Sequence, residues 1–269
     1  MYNILTELHK ALLRTSLTLS ALITGTQIHI LPFYWACFKK RRRNKSLNNL
    51  GHLKYMLLSS NEFNSFKIAA KTELDKIKKQ TISNANTWAM NNRVYADLKK
   101  TPLKDHVEKI KNSTEFSKLM NLCFGQENNF EITHWSIWRN YPEKYGQSGK
   151  EVNSTFFHVD NGGGLSDRLH LNMFLYLSEV KEENGPFKFI DVTESKKVNR
   201  KYWKTIFLKH NLRSYELVDK ISKDANVESA FLSPGEVLVI DNQICLHRAG
   251  YCSESYRDIF EIVFREKNY

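Results

Sequence analysis

Two short motifs contain side chains whose types and spacing could bind a metal ion. His158 and Asp160 stand two residues apart in FFHVD, and His247 lies far downstream in LHRAG. Side chains alternate across a β-strand, so a histidine and a carboxylate two residues apart face the same side. A third imidazole beside them completes a set of two histidines and one carboxylate, which leaves coordination positions open and suits non-haem Fe(II) enzymes. We therefore predict a metal site made of His158, Asp160 and His247.

The elements that must position these side chains are predicted from the pattern of apolar residues. Seven short segments are predicted strands separated by Gly/Pro turns: residues 132–139, 152–160, 169–177, 187–190, 236–240, 244–247 and 257–264. Residues 47–122 have apolar side chains at three- and four-residue steps, among them Leu50 and Leu53, which predicts helices. Helices first and short strands afterwards indicate an α+β fold, in which a helical brace at residues 47–125 supports a β-sandwich or barrel at residues 130–269.

The N-terminal 46 residues differ from the rest in composition. Residues 15–38 contain no Asp, Glu, Lys or Arg, end in aromatic side chains, and are followed by the basic run KKRRR. The apolar run exceeds the ~20 residues that cross a bilayer, and aromatic residues beside a basic cluster are typical of an anionic membrane surface. Three interpretations stay open: contact with a membrane surface through residues 15–43, a helix packed on the catalytic core, and a membrane span. We predict that residues 1–46 form a segment distinct from a domain at residues 47–269.

The net charge of +11 is concentrated at the N-terminal end of the chain. Residues 1–61 contain nine basic residues and one acidic residue, a balance of +8, whereas residues 62–269 contain 31 basic and 28 acidic residues, a balance of +3. A nucleic-acid-binding surface on the second part is therefore not expected. The four cysteines show neither the CxxC spacing of a zinc site nor a disulfide framework. This favours a reducing, cytoplasmic location, with association to a membrane left open.

Four segments occur in an order that is more informative than the separate motifs. They are FFHVD, LNMFLYLSEVKEENGPFKFI, SPGEVLVIDNQICLHRAG and YRDIFEIVF, all within residues 130–269. This order resembles the phytanoyl-CoA dioxygenase-like family of Fe(II)/2-oxoglutarate oxygenases. The resemblance implies a double-stranded β-helix, which is a jelly-roll or cupin-like core. It also implies a dioxygenase that uses O₂ and 2-oxoglutarate as co-substrates, releases succinate and CO₂, and hydroxylates a substrate C–H bond.

The resemblance assigns roles to individual residues. His158, Asp160 and His247 would hold Fe(II). Arg257 stands ten residues after His247 and would bind the distal carboxylate of 2-oxoglutarate, because a guanidinium pairs with a carboxylate through two parallel hydrogen bonds. The alternative for Arg257 is a surface ion pair with Asp258 or Glu261, although strand alternation counts against Asp258, which points to the other face.

Asn172 would be a second contact to 2-oxoglutarate, because strands at this place in the family often carry a polar residue that faces the co-substrate. The alternative is a hydrogen bond from its amide to neighbouring backbone, since a buried amide needs partners. Trp138, Arg139 and Asn140 on the preceding strand are further candidates for the lining of the pocket.

Two departures from the family pattern affect the co-substrate and the substrate pocket rather than the metal triad. Ala249 stands where many members have a serine that reaches the co-substrate, and VTES at residues 192–195 stands where many have a PGSH-like turn. Two other functions stay open: a cupin-like metal enzyme that does not use 2-oxoglutarate, and a catalytically inert jelly-roll domain that serves as a binding or scaffold module. For an enzyme, the expected substrate is a small molecule or a lipid-linked compound.

Overall fold

The structure is a computed structural model, and it describes residues 47, 50–77, 93–98, 102–125, 130–142, 156–160, 169–209, 215–250 and 252–267. The helices are α1 (Ser60–Asp75), α2 (Leu103–Lys111), α3 (Thr114–Phe124), α4 (Val192–Lys209) and α5 (Tyr215–Asp224). The strands are β1 (His52–Met56), β2 (Arg93–Tyr95), β3 (Phe130–Asn140), β4 (His170–Tyr176), β5 (Lys188–Phe189), β6 (Glu228–Ser229), β7 (Glu236–Ile240), β8 (His247–Arg248) and β9 (Arg257–Glu266).

Six of these strands form one antiparallel sheet in the order β1-β7-β4-β9-β3-β2. Strand β9 lies between β4 and β3 and is hydrogen-bonded to both. Its side chains alternate, so that Phe260, Ile262 and Phe264 face one side of the sheet and Arg257 and Ile259 face the other. Both faces are buried at the Arg257 end of the strand, where Ile259 contributes an apolar side chain to one face and Phe260 to the other.

Helices α1, α2 and α3 cover the face of the sheet that contains Phe260. Each helix contributes apolar side chains at three- and four-residue spacing to one core, among them Phe66, Val107 and Leu119. Ser59 caps α1 in a capping box with Glu62, and the Ser113 hydroxyl accepts a hydrogen bond from the Phe116 amide at the start of α3. The prediction of helices within residues 47–122 is therefore confirmed for these three segments.

The prediction of helix is wrong at residues 52–56 and 93–95, which are strands β1 and β2. Residues His52–Met56 form β1, an edge strand that pairs with β7 from the His52–Ile240 pair to the Met56–Glu236 pair. Leucines at three- and four-residue steps suit a helix, but Leu53 and Tyr55 also alternate with polar neighbours and pack on the core of the large sheet. Pairing with a buried strand decides between the two, because it satisfies the backbone of β1 and buries both side chains.

The opposite face of the large sheet packs against a smaller antiparallel sheet with the strand order β6-β5-β8. A second core fills the space between the sheets, and Phe174, Leu238 and Ile259 from the large sheet meet Phe189 and Cys245 there. Two facing antiparallel sheets and a layer of helices agree with the α+β prediction. The complete double-stranded β-helix stays a prediction, as do the domain boundaries.

Helices α4 and α5 cover the outer side of the small sheet. Asp191 starts α4, because its carboxylate accepts hydrogen bonds from the amides of Thr193 and Glu194. Side chains of both helices form a third core with Phe156, Phe157 and other residues. No helix in the described part of the chain is long and apolar enough to cross a membrane. The apolar run at residues 15–38 lies outside the described residues.

Candidate metal centre

The FFHVD segment lies beside β8 and extends the small sheet by one antiparallel bridge. The His158 amide donates to the His247 carbonyl oxygen at 2.9 Å, and the His247 amide donates to the His158 carbonyl oxygen at 2.9 Å. Two residues later, the Asp160 amide donates to the carbonyl oxygen of Asn242 at 2.8 Å. Backbone hydrogen bonds alone therefore bring the two distant motifs together.

The structure places all three predicted metal ligands in one cluster. The Oδ1 atom of Asp160 lies 3.6 Å from Nε2 of His158 and 3.5 Å from Nε2 of His247. One donor atom from each residue lies within 4.8 Å of the other two. Bonds of about 2.1 Å at right angles place two donor atoms about 3.0 Å apart, so each measured separation needs to shorten by roughly half an ångström on binding. The donor set fits a single divalent ion after this small closure.

Both imidazole rings are oriented by backbone carbonyl groups. Nδ1 of His158 lies 2.7 Å from the carbonyl oxygen of Phe156, and Nδ1 of His247 lies 2.9 Å from that of Cys245. A carbonyl can only accept, so each Nδ1 carries the proton and each Nε2 lone pair is free for a metal. Burial and the neighbouring His247 lower the pKa of His158 to about 4, so the ring is neutral at neutral pH. The neutral form is the one that binds metals.

The carboxylate of Asp160 is held by the side chain of Asn242, a residue that the sequence analysis missed. The Asn242 amide donates to Oδ2 of Asp160 at 3.2 Å and leaves Oδ1 facing the two histidines. Burial raises the pKa of Asp160, but His247, His158 and the Asn242 amide together hold it well below its usual value. The sequence signal for Asn242 was its place in the polar DNQ turn directly after β7.

Arg257 lies on the inner face of β9, and its side chain is almost completely buried, with 2% exposed. Its guanidinium is close enough to the Tyr176 hydroxyl to counteract the rise in the pKa of Tyr176 that burial causes, and this hydroxyl accepts a hydrogen bond from the Phe187 amide at 2.8 Å. The Phe187 ring stacks on the His247 ring, with 5.4 Å between the centroids. Two intermediate residues thus connect Arg257 to a predicted metal ligand. The alternative of a surface ion pair with Asp258 or Glu261 is wrong, because Arg257 is buried; Asp258 also faces the other side of the sheet.

Asn172 occupies the same inner face as Arg257, since the register of β4 and β9 pairs it with Val263. Its amide donates to Oε1 of Glu261 at 2.8 Å, so its partner is a side chain rather than neighbouring backbone. Trp138 and Asn140 share this face as well. Arg139 points to the helical side, where it meets Asp258, and it does not line the pocket.

Two further residues support the β8 segment and were not recognised from the sequence. The Ser195 hydroxyl, in the VTES segment, accepts a hydrogen bond from the Leu246 amide and donates to the Ile190 carbonyl oxygen, both at 2.9 Å. It therefore fixes the backbone directly before His247. Gly250 lies so close to the ENGP turn that a Cβ atom would come within 2.1 Å of the Pro186 carbonyl oxygen.

Comparison with known proteins gives matches at the level of structure. No family model matches the sequence, and no curated protein matches it significantly. Three similar solved structures are EctD from S. alaskensis with bound Fe, the non-haem α-ketoglutarate-dependent carbocyclase SnoK from nogalamycin biosynthesis, and HygX from Streptomyces hygroscopicus with nickel and 2-oxoglutarate bound. The chain has the fold of these enzymes. Membership in the phytanoyl-CoA dioxygenase-like family stays a prediction.

The three matches extend over most of each chain at low sequence identity. EctD is 14% identical, with a TM-score of 0.53 over 83% of this chain and 75% of its own. SnoK is 17% identical, with a TM-score of 0.53 over 86% and 85%. HygX is 13% identical, with a TM-score of 0.55 over 86% and 89%. The TM-scores indicate a common fold. At identities this low, the activity has to be argued from the site.

Proposed function

We propose that the protein is an Fe(II)- and 2-oxoglutarate-dependent dioxygenase that hydroxylates a C–H bond. The observation that carries the proposal is the arrangement of His158, Asp160 and His247. Their three donor atoms face one another, and each histidine has its Nδ1 proton held by a backbone carbonyl. Two imidazoles and one carboxylate are the ligand set that leaves open positions on non-haem iron.

The cofactor and the protein have different roles in such an enzyme. Iron with 2-oxoglutarate and O₂ supplies the oxidising chemistry when bound, and the protein supplies orientation and shielding. Asn242 keeps Oδ2 of Asp160 occupied, so that Oδ1 is the metal-facing atom. Phe187 covers one face of the His247 ring and excludes water there.

Arg257 is the proposed anchor for the distal carboxylate of 2-oxoglutarate. Its guanidinium is buried on the inner face of the sheet and is linked to His247 through Tyr176 and Phe187. A planar, permanently charged fork in a sheltered place is suited to two-pronged binding of a carboxylate. Tyr176 is a further hydroxyl in reach of the same group, and Asn172 is the proposed second contact on β4.

The substrate that we propose is a small molecule or a lipid-linked compound. The basic and apolar segment at residues 15–43 is proposed to contact a membrane surface, which would favour the lipid-linked class. A nucleic-acid substrate is not proposed, because residues 62–269 are almost neutral overall.

The test measures metal binding first and co-substrate binding second. Anaerobic calorimetric titration with Fe(II) should show one site in the wild type, and His247→Ala should abolish it. His134→Ala is the matched control, because His134 is an exposed histidine on β3 outside the cluster. The Fe(II)-loaded protein should then bind 2-oxoglutarate and, with O₂ and cell extract, release succinate and a product heavier by one oxygen atom.

The possible results separate three functions: the proposed dioxygenase, a cupin-like metal enzyme that does not use 2-oxoglutarate, and an inert scaffold domain. Absence of Fe(II) binding by the wild type would favour the inert scaffold. Fe(II) binding without any 2-oxoglutarate binding would favour the cupin-like metal enzyme. Binding of both that is lost in His247→Ala and kept in His134→Ala supports the proposed function.

A further inference from the structure

A buried ion pair lies on the helical side of the large sheet, directly behind Arg257. Arg139 on β3 and Asp258 on β9 are paired across the two strands. Nε of Arg139 donates to Oδ1 of Asp258 at 2.6 Å, and Nη2 donates to Oδ2 at 2.8 Å. The exposed fractions of the two residues are 4% and 2%. This two-pronged geometry fixes both the distance and the relative rotation of the two strands.

Arg139 also contacts Tyr256, which is the residue directly before Arg257 in the chain, and Asp75 on α1. Its Cζ atom lies 3.9 Å from the centre of the Tyr256 ring, and its Nη1 donates to Oδ1 of Asp75 at 2.5 Å. One guanidinium thus contacts the residues immediately before and immediately after Arg257. Asp75 is the last residue of α1, so the helix is tied to the same point.

The backbone at this point has additional hydrogen bonds. The Asp258 amide donates to the Ser178 hydroxyl at 3.0 Å, and the Asp258 carbonyl oxygen accepts from the Leu177 amide at 2.9 Å. Ser255, two residues before Arg257, has a φ of 59°, which a non-glycine residue adopts only when its surroundings hold it there. The start of β9 is therefore held in one defined conformation.

We infer that Arg139 and Asp258 are a positioning pair, which sets where Arg257 presents its guanidinium to the distal carboxylate of 2-oxoglutarate. This inference rests on the proposed function. The side chains of Arg257 and Asp258 point to opposite faces of β9, so a rotation of the strand that moves one moves the other. A two-pronged contact between arginine and a carboxylate tolerates little displacement. Buried ion pairs add little net stability compared with apolar replacements. We therefore expect the main effect of this pair to be on the position of β9 relative to β3.

The test removes the pair in a double variant that leaves no buried charge, and weakens it in two single variants. The double variant Arg139→Met/Asp258→Leu replaces both charged side chains with apolar ones, and Asp258→Asn keeps the shape of the aspartate but removes its charge. Calorimetry on the Fe(II)-loaded protein should show 2-oxoglutarate affinity reduced by about ten- to a hundred-fold in the double variant. Fe(II) affinity should stay unchanged, because the hydrogen bonds of the metal cluster lie in and beside the small sheet. Arg139→Lys, which keeps the charge but loses the fork, should fall between the double variant and the wild type.

The matched control removes another ion pair from the same helix. Glu73→Gln breaks the contact of 2.5 Å between Glu73 in the last turn of α1 and Lys76, the residue that follows the helix. It should leave both affinities unchanged. Asp258→Asn provides the same measurement if the double variant does not fold.

Three results would overturn the inference, and they differ from one another. Unchanged 2-oxoglutarate affinity in the double variant and in Asp258→Asn would show that the pair does not position Arg257. Parallel losses of Fe(II) and 2-oxoglutarate affinity would show general loosening of the fold. A wild-type protein that binds Fe(II) but never 2-oxoglutarate would overturn the proposed function together with this inference.

Discussion

The hydrogen bond from Asn242 to Asp160 gives a prediction that depends on the geometry of the metal cluster. Asn242→Ala removes the amide that holds Oδ2 of the carboxylate at 3.2 Å. The substitution keeps the backbone hydrogen bond between the two segments, because the Asp160 amide donates to the main-chain oxygen of residue 242. The substitution therefore changes the orientation of the carboxylate and leaves the segment in place.

The expected loss follows from the length and the surroundings of this hydrogen bond. A hydrogen bond to a charged group contributes about 1.5–3 kcal/mol, and a length of 3.2 Å is at the long end of the usual range. The Asp160 side chain is 40% exposed, so water can replace part of the lost contact. We therefore take the lower value of about 1.5 kcal/mol, which corresponds to roughly a tenfold weaker Fe(II) affinity. Losses of ten- to a hundred-fold are typical for groups that orient metal ligands.

The measurement is anaerobic calorimetric titration of Fe(II) into the wild type and the variant. Gln243→Ala is the control, because Gln243 is the next residue and its amide contacts Nδ1 of His170 rather than a metal ligand. It should bind Fe(II) as the wild type does. Equal affinities of Asn242→Ala and the wild type would refute the reasoning, since they would mean that Asp160 needs no support from this amide.

Four other expected outcomes can be measured separately. Ser195→Ala should lower the free energy of unfolding in urea by about 1–3 kcal/mol, because the buried Leu246 amide loses its acceptor; an unchanged value would contradict this. Gly250→Ala should cost about 1–3 kcal/mol or more, because the new Cβ meets the backbone of the ENGP turn, and wild-type stability would mean that the turn can shift freely. Arg257→Lys should weaken 2-oxoglutarate affinity by about tenfold through loss of one charged hydrogen bond, and equal affinity would argue against its role as the anchor. Deletion of residues 1–46 should keep Fe(II) binding, because it spares Leu47, which is fully buried in the core; loss of binding in a folded product would show that the segment belongs to the site.

The strands of the large sheet were largely predictable from local pattern. The segments that became β4, β7 and β9 contain several apolar residues each and were predicted as strands, and the structure contains them with boundaries shifted by at most a few residues. The segment around β1 was assigned to the wrong class, because Leu50 and Leu53 fit a helical spacing as well. The segment becomes a strand because it pairs with β7. Since β7 lies far away in the chain, the local spacing of apolar residues does not reveal this pairing.

The metal cluster was predictable as a set of residues, but its supports were not. His158 and Asp160 were selected by type and spacing and His247 by the order of the motifs around it, and the structure places the three side chains together. The structure alone identified three supporting residues, Asn242, Tyr176 and Ser195, because polar residues of these types are common in turns and strands. Apart from the place of Asn242 in a polar turn after β7, nothing in their own surroundings in the chain marks them as partners of a ligand or of Arg257.

The amino-acid sequence by itself determined which side chains could do chemistry and which faces they share within one strand. Alternation placed His158 with Asp160 on one side, and it separated Arg257 from Asp258. Only the tertiary structure decided that residue 158 is hydrogen-bonded to residue 247, and that Arg139 contacts both neighbours of Arg257. The physical reason is that side-chain alternation is a property of the local backbone, whereas pairing between distant strands depends on hydrogen bonds and burial across the whole fold.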